Sequence, residues 1–174
     1  MLNKEIRIAI SGKSGCGNST VSKIISERLN YKLVNYTFHT IAEEEKIGFK
    51  ELCLMAENDP KWDYYVDKKQ VELAMESSSV LGSRLAIWML KEADLKVFLT
   101  ASPEVRAKRI HAREGGDFNA VFEYTLKRDK RDSARYKKLY NIDNSDYEFC
   151  DLIINTDNLD QYKVADIIIA ALGL

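Results

Sequence analysis

The 174-residue chain contains few of the residues that build disulfide frameworks or zinc sites. It has three cysteines, two histidines and two prolines. Cys16, Cys53 and Cys150 are odd in number and lack metal-ligand spacing, so we expect reduced thiols rather than a disulfide framework. No cysteine or carboxylate stands at ligand spacing around His39 or His111, which argues against a zinc site.

Long apolar runs and a strong net charge are also absent. No stretch reaches the roughly 18 apolar residues that a membrane span needs. The first residues, MLNKEIRIAISG, show no secretory signal pattern. The net charge of −1 gives no overall signal for nucleic-acid or membrane binding. We therefore expect a single-domain cytoplasmic monomer, with neither nucleic acid nor membrane as a partner.

Charge is nevertheless distributed unevenly along the chain. Residues 104–138 carry 11 Lys and Arg against 6 Asp and Glu. Such a run fits either the solvated surface of a helix or a site for a polyanionic ligand.

Strand and helix patterns alternate, which predicts parallel strands with helices on both faces. Ser102, Pro103 and Glu104 form a helix start, with a capping hydroxyl, a proline and an early acid. Asn58-Asp59-Pro60 predicts a break in a long helical segment. Strands are predicted at 6–11, 32–35, 79–81, 95–99 and 152–154. Helices are predicted at 19–29, across most of 40–75, near 85–89, and at 103–113, 119–138 and 159–172.

The predicted fold class is therefore α/β, with a five-stranded parallel sheet between two layers of helices. Ligands of such sheets bind beyond the carboxyl ends of the strands. The first strand leads directly into the glycine-rich stretch GKSGCGNST at 12–20. This stretch has the frame G-x-x-x-x-G-K-[ST] of a phosphate-binding loop, except that Asn18 stands at the lysine position.

Glycines in such a loop let backbone N–H groups turn inward around phosphates, and the following helix directs its positive end at them. Ser19 would hold Mg²⁺ through its hydroxyl. The competing interpretation is a tight glycine turn that closes a strand–helix unit. The candidate ATP-binding residues are Gly12, Lys13, Ser14, Gly15, Cys16, Gly17, Asn18, Ser19 and Thr20.

The basic run contains the stretch KRDKRDSARY at 127–136. Arg128, Asp132 and Arg135 are spaced four and three residues apart, so they share one helix face. They fit a surface ion-pair network that contributes only tenths of a kcal/mol. They fit equally a phosphate clamp with a carboxylate that reads a base amine, and the residues alone leave both interpretations open.

The order of these motifs resembles the cytidylate kinases, most closely their short archaeal-type branch. The resemblance covers nearly the whole chain. It implies a P-loop kinase fold in one domain, with a helical monophosphate-binding insert at about 39–76 and a lid at about 113–119. The matching stretches are GKSGCGNST (12–20), DPKWDYYVDKKQVE (59–72), VLGSRLAIWMLKEADLKVFLTASPEVRAKRIHAREG (80–115), RDKRDSARYKKLYNID (128–143) and DLIINT (151–156).

This resemblance implies phosphoryl transfer from ATP, with Mg²⁺, to CMP or dCMP. Asp132 would hydrogen-bond the acceptor through its base amine. From the lid, Arg109 and Arg113 would face the phosphoryl group in transfer. The arginines implied to contact the acceptor phosphate are Arg84, Arg128 and Arg135.

Three departures from the family pattern bear on the function. Asn18 replaces the loop lysine, and Lys13 is the nearest candidate for the missing charge. His39 stands where the family usually has an acceptor-binding arginine, and neutral imidazole cannot make the bidentate phosphate contact of a guanidinium. Gly82-Ser83 replaces the acid and glycine that usually precede Arg84. The candidate catalytic residues are Lys13, Arg109, Arg113 and Arg128.

These departures keep two alternative functions open. One is a P-loop kinase of another nucleotide or of a small metabolite. The other is a catalytically weak nucleotide-binding regulatory protein, which the absence of a lysine at position 18 favours.

Two further features have both a structural and a functional interpretation. Trp62, Tyr64 and Tyr65 could stack on a base, although aromatic residues at helical spacing more often form core. Cys16 lies near a helix N-terminus, which lowers the pKa of a thiol. We expect Cys16 to be a small structural residue rather than a reactive one.

Overall fold

Five parallel strands form one sheet in the order β2-β3-β1-β4-β5, as seen in a computed structural model that describes residues 4–173. The strands are β1 (Arg7–Gly12), β2 (Lys32–Val34), β3 (Ser79–Gly82), β4 (Leu95–Thr100) and β5 (Leu152–Asn155). All adjacent strand pairs are parallel. The predicted five-stranded parallel sheet is confirmed, with the ends of each strand within one residue of the prediction.

Helices cover both faces of the sheet. The helices are α1 (Asn18–Leu29), α2 (Phe38–Glu44), α3 (Phe49–Asn58), α4 (Lys61–Met75), α5 (Ala86–Met89), α6 (Pro103–Glu114), α7 (Phe118–Tyr140) and α8 (Gln161–Ala171). No helix in residues 4–173 combines the length and apolar character required for a membrane span.

Alternation along the central strand divides the core into two layers. Ile8 and Ile10 point to the face covered by α1 and α8, where they pack with Ile25 and Ile168. Ala9, between them, points to the opposite face, which α4 and α5 cover. Successive side chains of a strand alternate between faces, so a central strand that is apolar throughout requires a helical layer on each side. The predicted three-layer architecture is confirmed.

The segment between β2 and β3 is more interrupted than the sequence analysis predicted. The break at Asn58-Asp59-Pro60 is confirmed, because α3 ends at Asn58 and Pro60 caps the start of α4. A second break at 45–48 was missed. There Lys46 adopts a positive φ of 55° and Gly48 caps α3. Gly48 is the sequence signal that marks this boundary.

The three helices of this segment have a small core of their own. It is built around Tyr36, Ile41, Leu52 and Val66, with Trp62 packed against it. Trp62 is therefore part of the core, as the structural interpretation of the aromatic residues predicts.

The other two aromatic side chains of that cluster are more exposed. Tyr64 is 43% and Tyr65 is 44% exposed. Tyr64 packs edge-on against Tyr140, and Tyr65 packs edge-on against Tyr36. Both side chains are thus engaged with aromatic neighbours of the protein.

Helix α4 is joined to α7 by two polar contacts. The guanidinium group of Arg135 donates to both carboxylate oxygens of Asp63. The hydroxyl of Tyr140 donates to the half-buried carboxylate of Asp67. Burial raises the pKa of Asp67 to about 6, against the opposing effect of the Tyr140 hydrogen bond. Ionised Asp67 therefore lowers the free energy of unfolding at neutral pH.

We expect Asp67→Asn to stabilise the protein at pH 7 and to have little effect near pH 4. The pKa of Asp67 is higher in the folded than in the unfolded protein, so its favourable contribution is complete below about pH 4 and is lost as the pH rises through 6. The gain at pH 7 is about 2–3 kcal/mol at most, and Asn still accepts the Tyr140 hydrogen bond. Urea unfolding of both proteins from pH 4 to 7.5 measures the difference.

Asp59 serves as the matched control. Hydrogen bonds from Lys61 lower the pKa of Asp59. Asp59→Asn should therefore lose stability relative to the parent protein at pH 7, and this loss should fade as the solution is acidified. A stability difference for Asp67→Asn that stays constant with pH would contradict the assignment.

Candidate active site

The glycines of the phosphate loop are required by its backbone path. Gly15 and Gly17 adopt positive φ angles of 85° and 104°, a region that side chains disfavour. At Gly12 a Cβ atom would lie 2.5 Å from the carbonyl oxygen of Leu99. Gly17 caps α1, so the loop leads directly to the N-terminus of that helix. The arrangement suits an anion, because free backbone N–H groups and the positive end of a helix meet there.

Asn18 is turned back onto the loop. Its Nδ2 donates to the carbonyl oxygen of Gly12 at 2.8 Å. Its Oδ1 is buried and has no hydrogen-bond partner among residues 4–173. Asn18 thus braces the loop and adds no positive charge to it.

The loop residues on either side of Asn18 differ in their exposure to solvent. Ser19 and Thr20 are exposed in the first turn of α1. Cys16 is buried, and burial raises the pKa of its thiol to about 11. A protonated, buried thiol is a poor nucleophile, so Cys16 has the properties of a structural residue.

Arg84, Arg128 and Asp132 form a compact charge cluster. Arg84 follows β3 and donates to Asp132 Oδ2 at 2.8 Å, while Nε of Arg128 lies 3.9 Å from the same oxygen. Burial and the neighbouring Arg84 lower the pKa of Arg128. The exposed Arg131 also lies 4.0 Å from Asp132, so one carboxylate faces three guanidinium groups, and the excess positive charge suits an anion.

Two members of this cluster and the phosphate loop line one narrow cleft, whereas Arg128 is not among its lining residues. Gly12, Lys13 and Ser14 line the cleft from the loop. Arg84 and Asp132 also line it. The remaining lining residues are Trp88, Phe98, Asp129 and Asn144.

Arg135 lies on α7, like Arg128 and Asp132, but has different partners. Besides Asp63, its Nη2 donates to the carbonyl oxygen of Ala56 at 3.2 Å. Arg135 therefore contacts the helical segment between β2 and β3. The structure does not place it against Asp132.

His39 lies in a separate, open depression. Its imidazole ring stacks on Phe49 with 3.7 Å between ring centres, and Glu43 and Lys46 line the same depression. Neither His39 nor Phe49 lines the cleft described above.

The two arginines assigned to the lid differ in their surroundings. Arg109 donates to the carbonyl oxygen of Gly15 at 3.3 Å. It also donates to the hydroxyl oxygen of Thr156 at 2.9 Å and to the backbone oxygen of Thr156 at 2.6 Å. It thus joins α6 to the loop and to the end of β5. Arg113 is exposed near the end of α6 and pairs with Glu114.

Sequence reasoning missed Arg106 and Asp129. Arg106 is only 2% exposed and forms two hydrogen bonds to Asp129. Arg106 stands four residues before Ile110, on the apolar side of α6, and both are buried. An arginine at an apolar position of a helix is the signal that could have identified it.

The residues present are compatible with Mg²⁺ that arrives with a nucleotide. Residues 4–173 contain no group of three or more His, Cys, Asp or Glu side chains placed to hold a metal ion. Mg²⁺ bound with substrate phosphates needs only one or two protein oxygens. The exposed hydroxyl of Ser19, at the end of the phosphate loop, meets that requirement.

Two of the solved structures with similar folds are kinases. Shikimate kinase from Bacteroides thetaiotaomicron has a TM-score of 0.64 at 16% identity, over 97% of this chain and 99% of that one. Deoxyadenosine kinase from M. mycoides with bound dCTP has a TM-score of 0.59 at 20% identity, over 97% and 99%. At these identities the similarity concerns the fold alone, and it agrees with the predicted P-loop kinase fold.

Comparison of the sequence with known proteins identifies the family, which the similarity in fold does not. The chain is 46% identical to cytidylate kinase 2 of Borreliella afzelii over 167 residues, covering 94% of each chain. It is 39% identical to cytidylate kinase of Archaeoglobus fulgidus over 169 residues, covering 95% of this chain and 94% of that one. The family model described as "Cytidylate kinase-like family" matches residues 7–158. The chain therefore belongs to the cytidylate kinase-like family.

Proposed function

We propose that the protein transfers the γ-phosphoryl group of ATP to CMP or dCMP, giving ADP and CDP or dCDP. The observation that carries this proposal is the single cleft lined both by the phosphate loop and by Arg84 and Asp132, with Arg128 beside Asp132. In this proposal one phosphate group would bind at the loop and another at the neighbouring arginines. Family membership and the names of the relatives support the choice of acceptor.

On the donor side, residues 12–20 would hold the phosphates of ATP. Backbone N–H groups of the loop and the N-terminus of α1 supply the donors. The hydroxyl of Ser19 would ligate Mg²⁺, which offsets phosphate charge when bound. Lys13, on the rim of the cleft, would supply positive charge that Asn18 lacks.

On the acceptor side, Arg84 and Arg128 would bind the monophosphate, since their charge exceeds that of Asp132. Asp132 would accept a hydrogen bond from the cytosine amine. Arg135 and His39 would join the acceptor when the insert, residues 39–76, closes towards the cleft. In that state Arg135 would exchange Asp63 for the acceptor phosphate.

Catalysis in this proposal is positioning combined with charge stabilisation. The helical insert and a lid at 113–119 belong to the same domain as the sheet and close over the two nucleotides. Arg113, near the end of α6, and Arg109, bound to Gly15, would supply positive charge next to the transferring group. Closure excludes water and so limits hydrolysis of ATP.

The acceptor is tested by coupled measurement of ADP release with CMP, dCMP, UMP, AMP and shikimate. Cytosine has an exocyclic amine donor where uracil has a carbonyl acceptor, and an ionised carboxylate can only accept. We expect CMP to exceed UMP by about 100-fold or more in kcat/KM. Equal values would rule out base reading by Asp132. Turnover of shikimate or AMP instead would identify a different kinase, and ATP binding without turnover would favour a regulatory protein.

Arg128→Ala should lower turnover of CMP by about tenfold or more, because one phosphate contact is lost. The Nε of Arg128 has no hydrogen-bond partner in the described part of the chain, so the cost in stability should stay within about 1 kcal/mol. Steady-state kinetics and thermal unfolding measure both effects. The exposed neighbour Lys127 provides the control, since Lys127→Ala removes the same charge on the solvent side. Equal turnover of both variants and the parent would mean that this face of α7 is a solvated surface.

Lys13→Ala should weaken the use of ATP by about tenfold or more if Lys13 replaces the loop lysine. Adding Asn18→Lys to that variant should then restore part of the loss, because the new ammonium group stands at the usual position. The KM for ATP at saturating CMP is the measurement. A silent Lys13→Ala, combined with an increase in kcat from Asn18→Lys alone, would show that the charge is absent from the parent.

A further inference from the structure

A buried ion pair connects α6 to α7 beside the phosphate loop. The Nη1 and Nη2 atoms of Arg106 donate to the two carboxylate oxygens of Asp129 at 3.1 and 2.6 Å. The Arg106 side chain is 3% exposed and that of Asp129 is 14% exposed. A buried charge is tolerated only when it is paired and hydrogen-bonded, so this pair has a fixed geometry.

The same arginine supports the loop itself. Its Nη1 also donates to the carbonyl oxygen of Ser14 at 3.1 Å. The backbone of Gly15 passes so close to Arg106 that a Cβ atom there would lie 2.9 Å from the Cβ of the arginine. The middle of the loop therefore rests on α6 at Arg106.

Lys13 is the third member of this group. Its Nζ lies 3.9 Å from Oδ2 of Asp129, the same oxygen that accepts from Nη2 of Arg106. The Lys13 side chain is 45% exposed, and both it and Asp129 line the cleft. The carboxylate thus holds a partly exposed ammonium group on the loop side of the cleft.

An acid in a phosphate-binding cleft repels the ligand unless its charge is balanced. Arg106 balances Asp129, so the pair is close to neutral and Lys13 keeps its positive charge for the ligand. Position 18 provides no such charge, since Asn18 is neutral and bonded to Gly12. A lysine held at the start of the loop can therefore direct a positive charge at the ligand, as a lysine at position 18 would.

We propose that Asp129, held by Arg106, is a positioning residue that keeps the ammonium group of Lys13 over the phosphate loop, where it substitutes for the lysine absent from position 18. This assignment rests on the proposed use of ATP and adds to it a source for the charge on its phosphates. It gives Asp129 a role that acts through Lys13, without direct contact to the nucleotide.

The test is a double-mutant cycle on ATP binding, measured calorimetrically with Mg²⁺ and without acceptor. Lys13→Ala should weaken ATP binding by about tenfold or more, and Asp129→Asn by a similar factor. The double variant should bind no more weakly than Lys13→Ala alone, because Asp129 acts only through Lys13. Lys130→Ala, an exposed lysine next to Asp129 on α7, is the control and should leave ATP affinity unchanged.

A second readout separates positioning from simple support of the fold. Asp129→Asn leaves Arg106 without its full counter-charge and should also lower the melting temperature. Adding Asn18→Lys to Asp129→Asn should restore ATP affinity without restoring the melting temperature. If affinity and melting temperature instead fall together and neither is rescued, Asp129 is only structural. Should Asp129→Asn not fold, Asp129→Glu keeps the buried charge pair and displaces Lys13, and it should show the same rescue.

The outcomes distinguish this inference from the proposed function. Additive losses in the double variant would overturn the role of Asp129, even in a protein that phosphorylates CMP. A parent protein that binds ATP but phosphorylates no acceptor would refute the proposed reaction, and the cycle on ATP binding would still decide the role of Asp129. A parent protein that binds no ATP would overturn both.

Discussion

A fully buried guanidinium group needs a compensating charge or hydrogen-bond acceptors, and in this chain that requirement organises the site. Arg106 is 2% exposed and bonds to Asp129 through two nitrogens, so α6 and α7 are held in one relative position. The same side chain supports the phosphate loop at Ser14. Arg128 and Asp132 lie on α7 on either side of this anchor and are thereby placed beside the loop. The Arg84–Arg128–Asp132 cluster and the glycine-rich loop are thus held in one relative arrangement.

Features governed by local physics could be predicted from the sequence. The sheet follows from alternating strand and helix patterns, and the loop follows from glycines that are needed at positive φ, as at Gly15 and Gly17. The start of α6 is another example, since Ser102 accepts from the backbone N–H of Val105. In each case the residues that determine the structure are close together in the chain, so their spacing is sufficient to identify it.

The partners of the arginines could not be predicted in this way. Arg135 pairs with Asp63, 72 residues away, and Arg109 bonds to Thr156, 47 residues away. Spacing along α7 correctly places Arg128 and Asp132 together, but it cannot tell which acid of another helix will approach Arg135. Guanidinium groups are long and flexible, and several acids are available, so the choice depends on how the helices pack. The break at 45–48 was missed for a related reason, because Gly48 alone is a weak signal within a helical pattern.

The acids of the site explain how so many arginines coexist in it. Asp132, Asp129 and Asp63 each pair with an arginine, which offsets repulsion among the guanidinium groups and fixes their positions. Groups that are fixed in advance need little reorganisation when a phosphate arrives. A paired arginine, however, offers less net charge to that phosphate. Arg128 shares Asp132 with Arg84, and Lys13 shares Asp129 with Arg106. Neither has a carboxylate to itself, so we expect both side chains to keep part of their positive charge for the phosphates of the proposed substrates.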